Sequence, residues 1–303
     1  MLSICIPVYN FDVRALVEDL SVQLSKAGFP FEILLMDDAS DVVFRQKNQE
    51  SESKNIRYIQ LSENIGRSKI RNELARTAKY DYLIFMDCDS KVPSKEYINN
   101  YLPYCRPMTV CYGGRIYEKN PPCDSTFLRW KYGVERESQP ASKRKENANY
   151  GFCTNNFLIH KAIFEILQFD EKLEGYGHED TLFGLELMTK GIKIKHTDNP
   201  LIHIGLEDAS VFLSKTENAV SNLSKINNLI KEKYPTYTNH SKLTQSYCRI
   251  NRLGMKKWLA RLFRIMRPYL KRNLLGKNPS LRVFDLYKLG FLLWLNYNLR
   301  SQR

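Results

Sequence analysis

The chain of 303 residues has no Cys-x-x-Cys pair. Its seven cysteines, at positions 5, 88, 105, 111, 123, 153 and 248, are scattered and odd in number. A disulfide framework and a zinc site are therefore set aside, and a reducing cytosol is the expected setting. No apolar run reaches the length of about 18 to 20 residues that spans a bilayer. Met1 leads straight into the apolar LSICIPV, with no basic n-region and no small-residue cleavage site, so no secretory signal is expected. No internal repeat is present. Acids are nearly missing from one segment: of 46 Lys and Arg and 33 Asp and Glu, residues 249–303 hold 14 basic side chains and one acid, Asp285. The remaining 32 basic and 32 acidic side chains cancel. The net charge of +13 thus belongs to the C-terminal segment and describes that segment's partner alone.

What is present suffices for a sizeable core, since 43% of the residues are hydrophobic. The length suits one large α/β domain, or a domain of about 200 residues with an appendage. LSICIPVYN, FEILLMDDAS, NIRYIQLSEN and DYLIFMDCDS read as strands, and VRALVEDLSVQLSKAG and IGRSKIRNELARTAKY as helices between them. In the first helix Val13, Leu16, Val17, Leu20 and Leu24 share a face, and Gly28 marks the stop. The strands are continuous apolar runs, the pattern of a parallel sheet covered on both faces. Ligands of such sheets bind beyond the carboxyl ends of the strands. Tyr9, Asn10, Asp37, Asp38, Asp87 and Asp89 all stand at such ends. After residue 90, TVCYGGRIYE reads as a strand and the polar 131–151 as a mobile loop. FCTNNFLIHKAIFEIL reads as a strand or turn with a short helix. GYGHEDTLFGLELMTKG reads as a glycine-rich loop entering a helix, IKIKHTDNPLIHIG as strand, turn, strand, and 208–234 as helical.

IPVYN, LLMDDAS, NIGRSKIRN, FMDCDS and GYGHED stand in the order and rough spacing that resembles glycosyltransferase family 2 over about residues 1–205. The resemblance implies a GT-A fold. Its sheet would be mixed and mostly parallel with helices on both faces, here with a helical C-terminal appendage. The implied activity is inverting sugar transfer from a nucleotide diphosphate donor. The expected layout is a catalytic domain at 1–207, with a nucleotide-binding half at 1–90 and an acceptor half at 91–207. A helical extension at 208–248 and a basic tail at 249–303 follow.

The resemblance also implies roles. Asp89 would be the direct ligand of Mn²⁺ or Mg²⁺, which prefer hard oxygen and share their shell with substrate phosphates. Asp87 would contact the ribose or the metal's water. Asp38 would accept from the nucleotide base, with Pro7 and Tyr9 beside it, and Arg71 or Arg67 would face the diphosphate. Asp180 would be the general base that an inverting transfer needs, and Glu179 would position a sugar. Gly175, Tyr176 and Gly177 resemble a G-W-G-x-E-D loop, with Tyr in place of Trp. His203 would be a third metal ligand, and Thr154, Asn155 and Asn156 would line the sugar site. Read from the residues alone, Asp37 and Asp38 are also strand-end caps. On the same footing Arg71 pairs with Glu73 or Asp87, and His203 is a core histidine.

In RLGMKKWLARLFRIMRPYLKR, Leu253, Trp258, Leu259, Leu262, Phe263 and Met266 alternate with cations, and the apolar FDLYKLGFLLWLNYNL follows. Basic amphipathic helices of this kind lie in a membrane interface. The enzyme is therefore expected in the cytoplasm, peripheral at the inner face of a bacterial membrane. There it would pass sugar from a UDP-sugar to a glycan or lipid-linked acceptor in surface polysaccharide synthesis. The apolar content argues against nucleic acid as the tail's partner. Packing on the catalytic domain, or on a second subunit in a homo-oligomer, is the other reading. The rival functions are a nucleotide-sugar-binding protein without transferase activity and, from the tail alone, a nucleic-acid-binding protein.

Overall fold

The computed structural model describes residues 1–121, 123–173, 177–234 and 241–301. The chain divides into two compact units. One comprises Met1–Glu118, Arg136–Glu174 and Glu179–Gly205; the other comprises Lys119–Glu135, Gly175–His178 and Leu206–Arg303.

In the first unit, β1 (Leu2–Val8), α1 (Arg14–Lys26), β2 (Phe31–Asp37), α2 (Val42–Gln49), β3 (Ile56–Gln60), α3 (Arg67–Thr77) and β4 (Tyr82–Met86) alternate, and α2 is a helix that the sequence pattern did not predict. The four strands are parallel, and their apolar runs are continuous because both faces are covered. Ile4, Ile6, Ile33 and Leu35 pack with Leu16, Leu20 and Leu24 of α1, whereas Cys5, Leu34, Met36 and Phe85 pack with Ile70 and Leu74 of α3. Val8 pairs with Asp37, and Asp37 with Gln60, so the carboxyl ends of three strands come level.

Beyond β4 come β5 (Ser90–Lys91), α4 (Tyr97–Tyr101), β6 (Val110–Tyr112) and β7 (Arg115–Ile116). TVCYGGRIYE is thus two short strands, broken at Gly113 and Gly114. Later elements of this unit are α6 (Ala141–Arg144), β8 (Asn156–His160), α7 (Ile163–Ile166), α8 (Glu179–Thr189), β9 (Lys195–His196) and β10 (Leu201–His203), while α5 (Phe127–Tyr132) belongs to the other unit. The main sheet runs β3-β2-β1-β4-β8-β6-β9, with β8 antiparallel to both β4 and β6, and a second sheet runs β5-β10-β7.

The polar stretch 131–151 is not the expected loop. It is a series of helical turns that includes a π-turn over Gly133–Glu137, α6 and a 3₁₀ turn over Lys145–Asn147. Most of its polar side chains face solvent, but Arg144 and Asn149 are buried and partnered, which an amphipathic period cannot reveal. Arg144 donates to the carbonyls of Gly113 at 3.1 Å and Thr197 at 2.7 Å and lies 5.1 Å from the Tyr112 ring centroid. Asn149 Nδ2 donates to the carbonyls of Gly184 and Ile192 at 3.1 and 3.0 Å.

The second unit is helical: α5, α9 (Ala209–Lys233), α10 (Lys242–Arg252), α11 (Lys256–Leu274) and α12 (Leu281–Ser301). Its core joins Leu128, Phe212, Leu213 and Val220 to Phe263, Leu270, Phe284, Tyr287 and Leu292. The apolar run after residue 281, expected at an interface with the rest of the tail, is instead inner packing of this bundle. Among the described residues no helix is long and apolar enough to cross a membrane.

Candidate functional site

At the end of β4 the Asp87 N–H donates to the Asn155 carbonyl at 3.1 Å, so the ladder continues one residue beyond Met86. Cys88 turns back and packs against the apolar layer under the sheet. Two cations clamp the Asp87 carboxylate: Arg71 Nη2 at 2.9 Å and Arg115 Nη2 at 3.3 Å. Arg71 thus pairs with Asp87 rather than Glu73, and its Nε is buried without a partner.

Asp89 lies apart from that clamp. Its Oδ1 is 3.4 Å from His203 Nδ1, and neither Asp89 Oδ1 nor His203 Nε2 makes a hydrogen bond, although both are buried. Burial alone raises the Asp89 carboxyl, but the His203 imidazole, Arg115 and Arg67 together hold it down at about 2. The ring of Tyr117 stands edge-on to His203 at 5.6 Å. The chain passes so close to Asp89 at Gly205 that a Cβ there would meet the carboxylate at 2.5 Å. Ile204 N–H donates to the Asp89 carbonyl at 2.9 Å, which fixes this approach. Two orphaned buried polar atoms on an oxygen and a nitrogen donor fit a divalent cation that completes its shell on substrate oxygens. Among the described residues no group of three or more His, Cys, Asp and Glu forms a full protein cage.

Glu179 and Asp180 open α8, where acids interact favourably with the helix dipole. Glu179 is buried with Arg67 Nη1 3.4 Å away. Burial pushes its carboxyl up, but Arg67 and Arg71 bring it below its ordinary value. Asp180 goes the other way. Removal from water and the neighbouring Glu179 charge push it up to about 6, against the Thr181 N–H that donates to it at 2.7 Å. Arg67 and Arg71, one helical turn apart on α3, therefore act on both acid pairs. Arg71 holds Asp87 and bears on Asp180, while Arg67 holds Glu179 and bears on Asp89.

At the ends of β1 and β2, Asp37 is buried, accepting from Ser40 N–H at 2.7 Å and Tyr58 Oη at 2.9 Å. Asp38 accepts from the N–H groups of Ile65 and Gly66 at 2.7 and 3.1 Å, which ties the loop before α3 to β2. Burial raises the Asp38 carboxyl above its ordinary value. Pro7 sits within β1 opposite Met36, and Tyr9 is exposed. Asn10 bridges the two strand ends, its N–H donating to Ser40 Oγ at 2.8 Å and its Oδ1 accepting from Asp41 N–H at 2.7 Å.

Not every expected residue turns its side chain to a ligand here. Asn156 is a correction: it is fully buried, its Oδ1 accepting from Tyr97 and Tyr101 at 2.7 and 2.8 Å and its Nδ2 donating to the carbonyls of Gly114 and Asn199, both at 2.9 Å. Its hydrogen-bonding groups are spent inside the fold, leaving none for a sugar. Thr154 and Asn155 are also buried, and Asn155 Oδ1 accepts from Tyr112 at 3.1 Å. Gly177 belongs to the helical unit and has a φ of 95°; Tyr176 lies outside the described residues. Arg115 was not anticipated. Besides Asp87 it reaches Glu137 at 3.3 Å, and Glu137 in turn accepts from Tyr117. The available signal was a cation directly after the Gly-Gly break in TVCYGGRIYE.

The family profile described as Glycosyl transferase family 2 matches residues 3–167. Chondroitin synthase of Pasteurella multocida is 25% identical over 238 residues, covering 67% of this chain and 24% of that protein. An uncharacterized glycosyltransferase of Haemophilus influenzae is 40% identical over 91 residues, 29% of each chain. The chain thus spans less than a third of the length of either relative. The mannosyltransferase PcManGT from Pyrobaculum calidifontis, solved with GDP-Man and Mn²⁺, is 14% identical with a TM-score of 0.56, covering 100% of this chain and 88% of that one. That likeness shows the fold, the GT-A arrangement that the resemblance implied.

Proposed function

The chain belongs to glycosyl transferase family 2, and we propose that it is an inverting glycosyltransferase. In this reading it moves a sugar from a UDP-sugar to a glycan or lipid-linked glycan in bacterial surface polysaccharide synthesis. The observation that carries the reading is the pair Arg67 and Arg71, which bears at once on the strand-end acids Asp87 and Asp89 and on the loop acids Glu179 and Asp180. A diphosphate leaving group needs cations near one end of the reacting bond. The attacking hydroxyl needs a base at the other.

Asp180 is the base. Its carboxyl, raised to about 6, is still ionised near neutral pH yet more basic than an ordinary aspartate. It takes the proton of the acceptor hydroxyl as that oxygen bonds to the anomeric carbon. The bond from that carbon to the phosphate oxygen breaks, and the nucleoside diphosphate leaves with the electron pair. Glu179, kept ionised by Arg67, positions a sugar hydroxyl. Asp89 and His203 would hold Mn²⁺ or Mg²⁺, and such an ion neutralises charge on the departing diphosphate. Arg71, through its unpartnered Nε, turns a donor toward the same group. Asp87, held by two arginines, faces the ribose, and Asp38 and Tyr9 face the base. The name of the Pasteurella relative, a chondroitin synthase, supports a glycan product. The excess of cations after residue 248 supports a place at the inner face of the cell membrane, where lipid-linked glycans are presented.

A donor panel tests this. The protein is mixed with Mn²⁺, an oligosaccharide acceptor pool and each of several UDP-sugars, and UDP release is measured. Release from at least one donor is expected. Donor binding without UDP release from any of them would leave a binding protein and reject the transferase.

A further inference from the structure

Helix α11 carries three stripes. Ala260, Phe263, Leu270 and Leu274 form the first, buried in the bundle. Trp258, Leu262, Ile265 and Tyr269 follow the i, i+4, i+7, i+11 spacing of a second face. That face is open to solvent, with exposures of 60%, 38%, 67% and 67%. At 3.6 residues per turn, Arg261, Arg264 and Lys271 fall on the flank between the two. A helix that merely packs on its own domain needs only the first stripe.

The cationic flank meets α12 along two adjoining depressions. One, of about 460 Å³, is lined by Phe263, Arg264, Arg267, Pro268, Lys271 and Trp294. The other, of about 440 Å³, has Ala260, Arg261 and Tyr297 in its wall and shares Arg264 and Trp294 with the first. Glu217 reaches the lower cations, at 2.9 Å from Arg267 and 3.3 Å from Lys271. Arg267 is also stacked, its guanidinium 5.6 Å from the Trp294 centroid and 5.7 Å from that of Phe291. Its position is therefore set before any ligand arrives. Among the described residues Arg261 and Arg264 have no ion-pair partner, so the groove keeps a net positive charge.

The occupant must supply anions to the groove and apolar cover to the stripe beside it, on one helix. A second copy of this chain brings another cationic flank against the first. Nucleic acid brings phosphates but nothing apolar for Ile265. The surface of an anionic bilayer brings both, and Trp and Tyr favour that boundary. We propose that the α11–α12 groove binds the phosphate headgroup of an anionic phospholipid, and that the stripe from Trp258 to Tyr269 enters the bilayer interface beside it. The proposal rests on the membrane reading above. It adds the face that docks, the groove that selects and the lipid class.

The test is co-sedimentation of the full chain with vesicles of phosphatidylcholine alone and of phosphatidylcholine mixed with phosphatidylglycerol. The double variant Arg261→Gln, Arg264→Gln and the single variant Ile265→Asp are compared with the parent. Both alter exposed side chains, and unchanged melting temperatures and UDP affinities verify intact folding. The parent is expected to bind the anionic vesicles, with binding weakened by salt. The double variant should lose roughly tenfold or more in affinity for them, and Ile265→Asp should lose binding to a similar extent. Equal binding by parent and double variant would overturn the groove while leaving the membrane reading intact. No binding by the parent to either vesicle would overturn both. Release from vesicles by inorganic phosphate, but not by chloride of equal ionic strength, would make this a free-phosphate site and overturn the lipid. A parent that light scattering shows to be a dimer, with Ile265→Asp a monomer, would give the stripe to a second copy and overturn the proposal.

Discussion

Glu179 and Asp180 are adjacent in the chain, yet their carboxyls are driven in opposite directions: Arg67 and Arg71 bring Glu179 below its ordinary value, while burial and the charge of Glu179 push Asp180 up to about 6. In the proposed transfer, two acids separated in this way would divide the work between an ionised positioning group and a base of useful strength.

Asp180→Asn should lower the transfer rate by about a thousandfold while UDP affinity changes little, because general-base catalysis contributes on that order. Steady-state kinetics and calorimetry with UDP check this. A rate near that of the parent would remove Asp180 from the role of base.

The same raised value fixes a pH dependence. Below about 6 Asp180 is protonated, so kcat should fall by about tenfold per pH unit on the acid side. The sign for stability is the reverse of a salt-bridged acid. The folded form binds the proton more tightly than the unfolded form, so ionisation of Asp180 costs stability as pH rises through its folded value. Asp180→Asn should therefore stabilise the protein at pH 7 by on the order of 2 kcal/mol and do little at pH 4. Thermal melts at the two pH values measure the difference.

Asp89→Ala removes the carboxylate that lies 3.4 Å from His203, whereas Asp87 stays held by Arg71 and Arg115. Addition of Mn²⁺ should then no longer tighten UDP binding, whereas the metal-free affinity stays near that of the parent. Titrations with and without Mn²⁺ decide it. An undiminished metal effect would take Asp89 out of the metal site.

Arg115→Met should raise KM for the donor by about tenfold, since a charge-assisted hydrogen bond contributes about 1.5–3 kcal/mol and Asp87 would lose one of its two cations. A KM unchanged across the donors that turn over would show that Arg71 alone holds Asp87.

Asn156→Ala should destabilise the fold by about 3 kcal/mol, because two tyrosine hydroxyls and two carbonyls lose a buried partner. At temperatures well below its melting point it should retain donor KM within about twofold. Loss of donor binding by a protein that is still folded would return Asn156 to the sugar site.

The sequence alone determined the parallel half of the sheet, because a strand buried on both faces must be apolar throughout. It also determined which acids stand at strand ends and that Glu179 and Asp180 open a helix, since strand runs and helix starts are local signals. Family resemblance pointed to Asp89 and His203 as a pair, and the structure sets them 3.4 Å apart. Only the tertiary structure decided the rest. Arg115 reaches Asp87 from a strand of another sheet. Asn156 lies inward rather than toward a ligand. The polar 131–151 stretch is ordered because Arg144 and Asn149 find buried carbonyls far away in the chain. The tail's apolar residues divide between a packed core in α12 and an open stripe on α11. Periodicity reports that a side chain belongs to a face. Which neighbour that face meets, and whether a buried polar group finds a partner, is settled by contacts between distant residues.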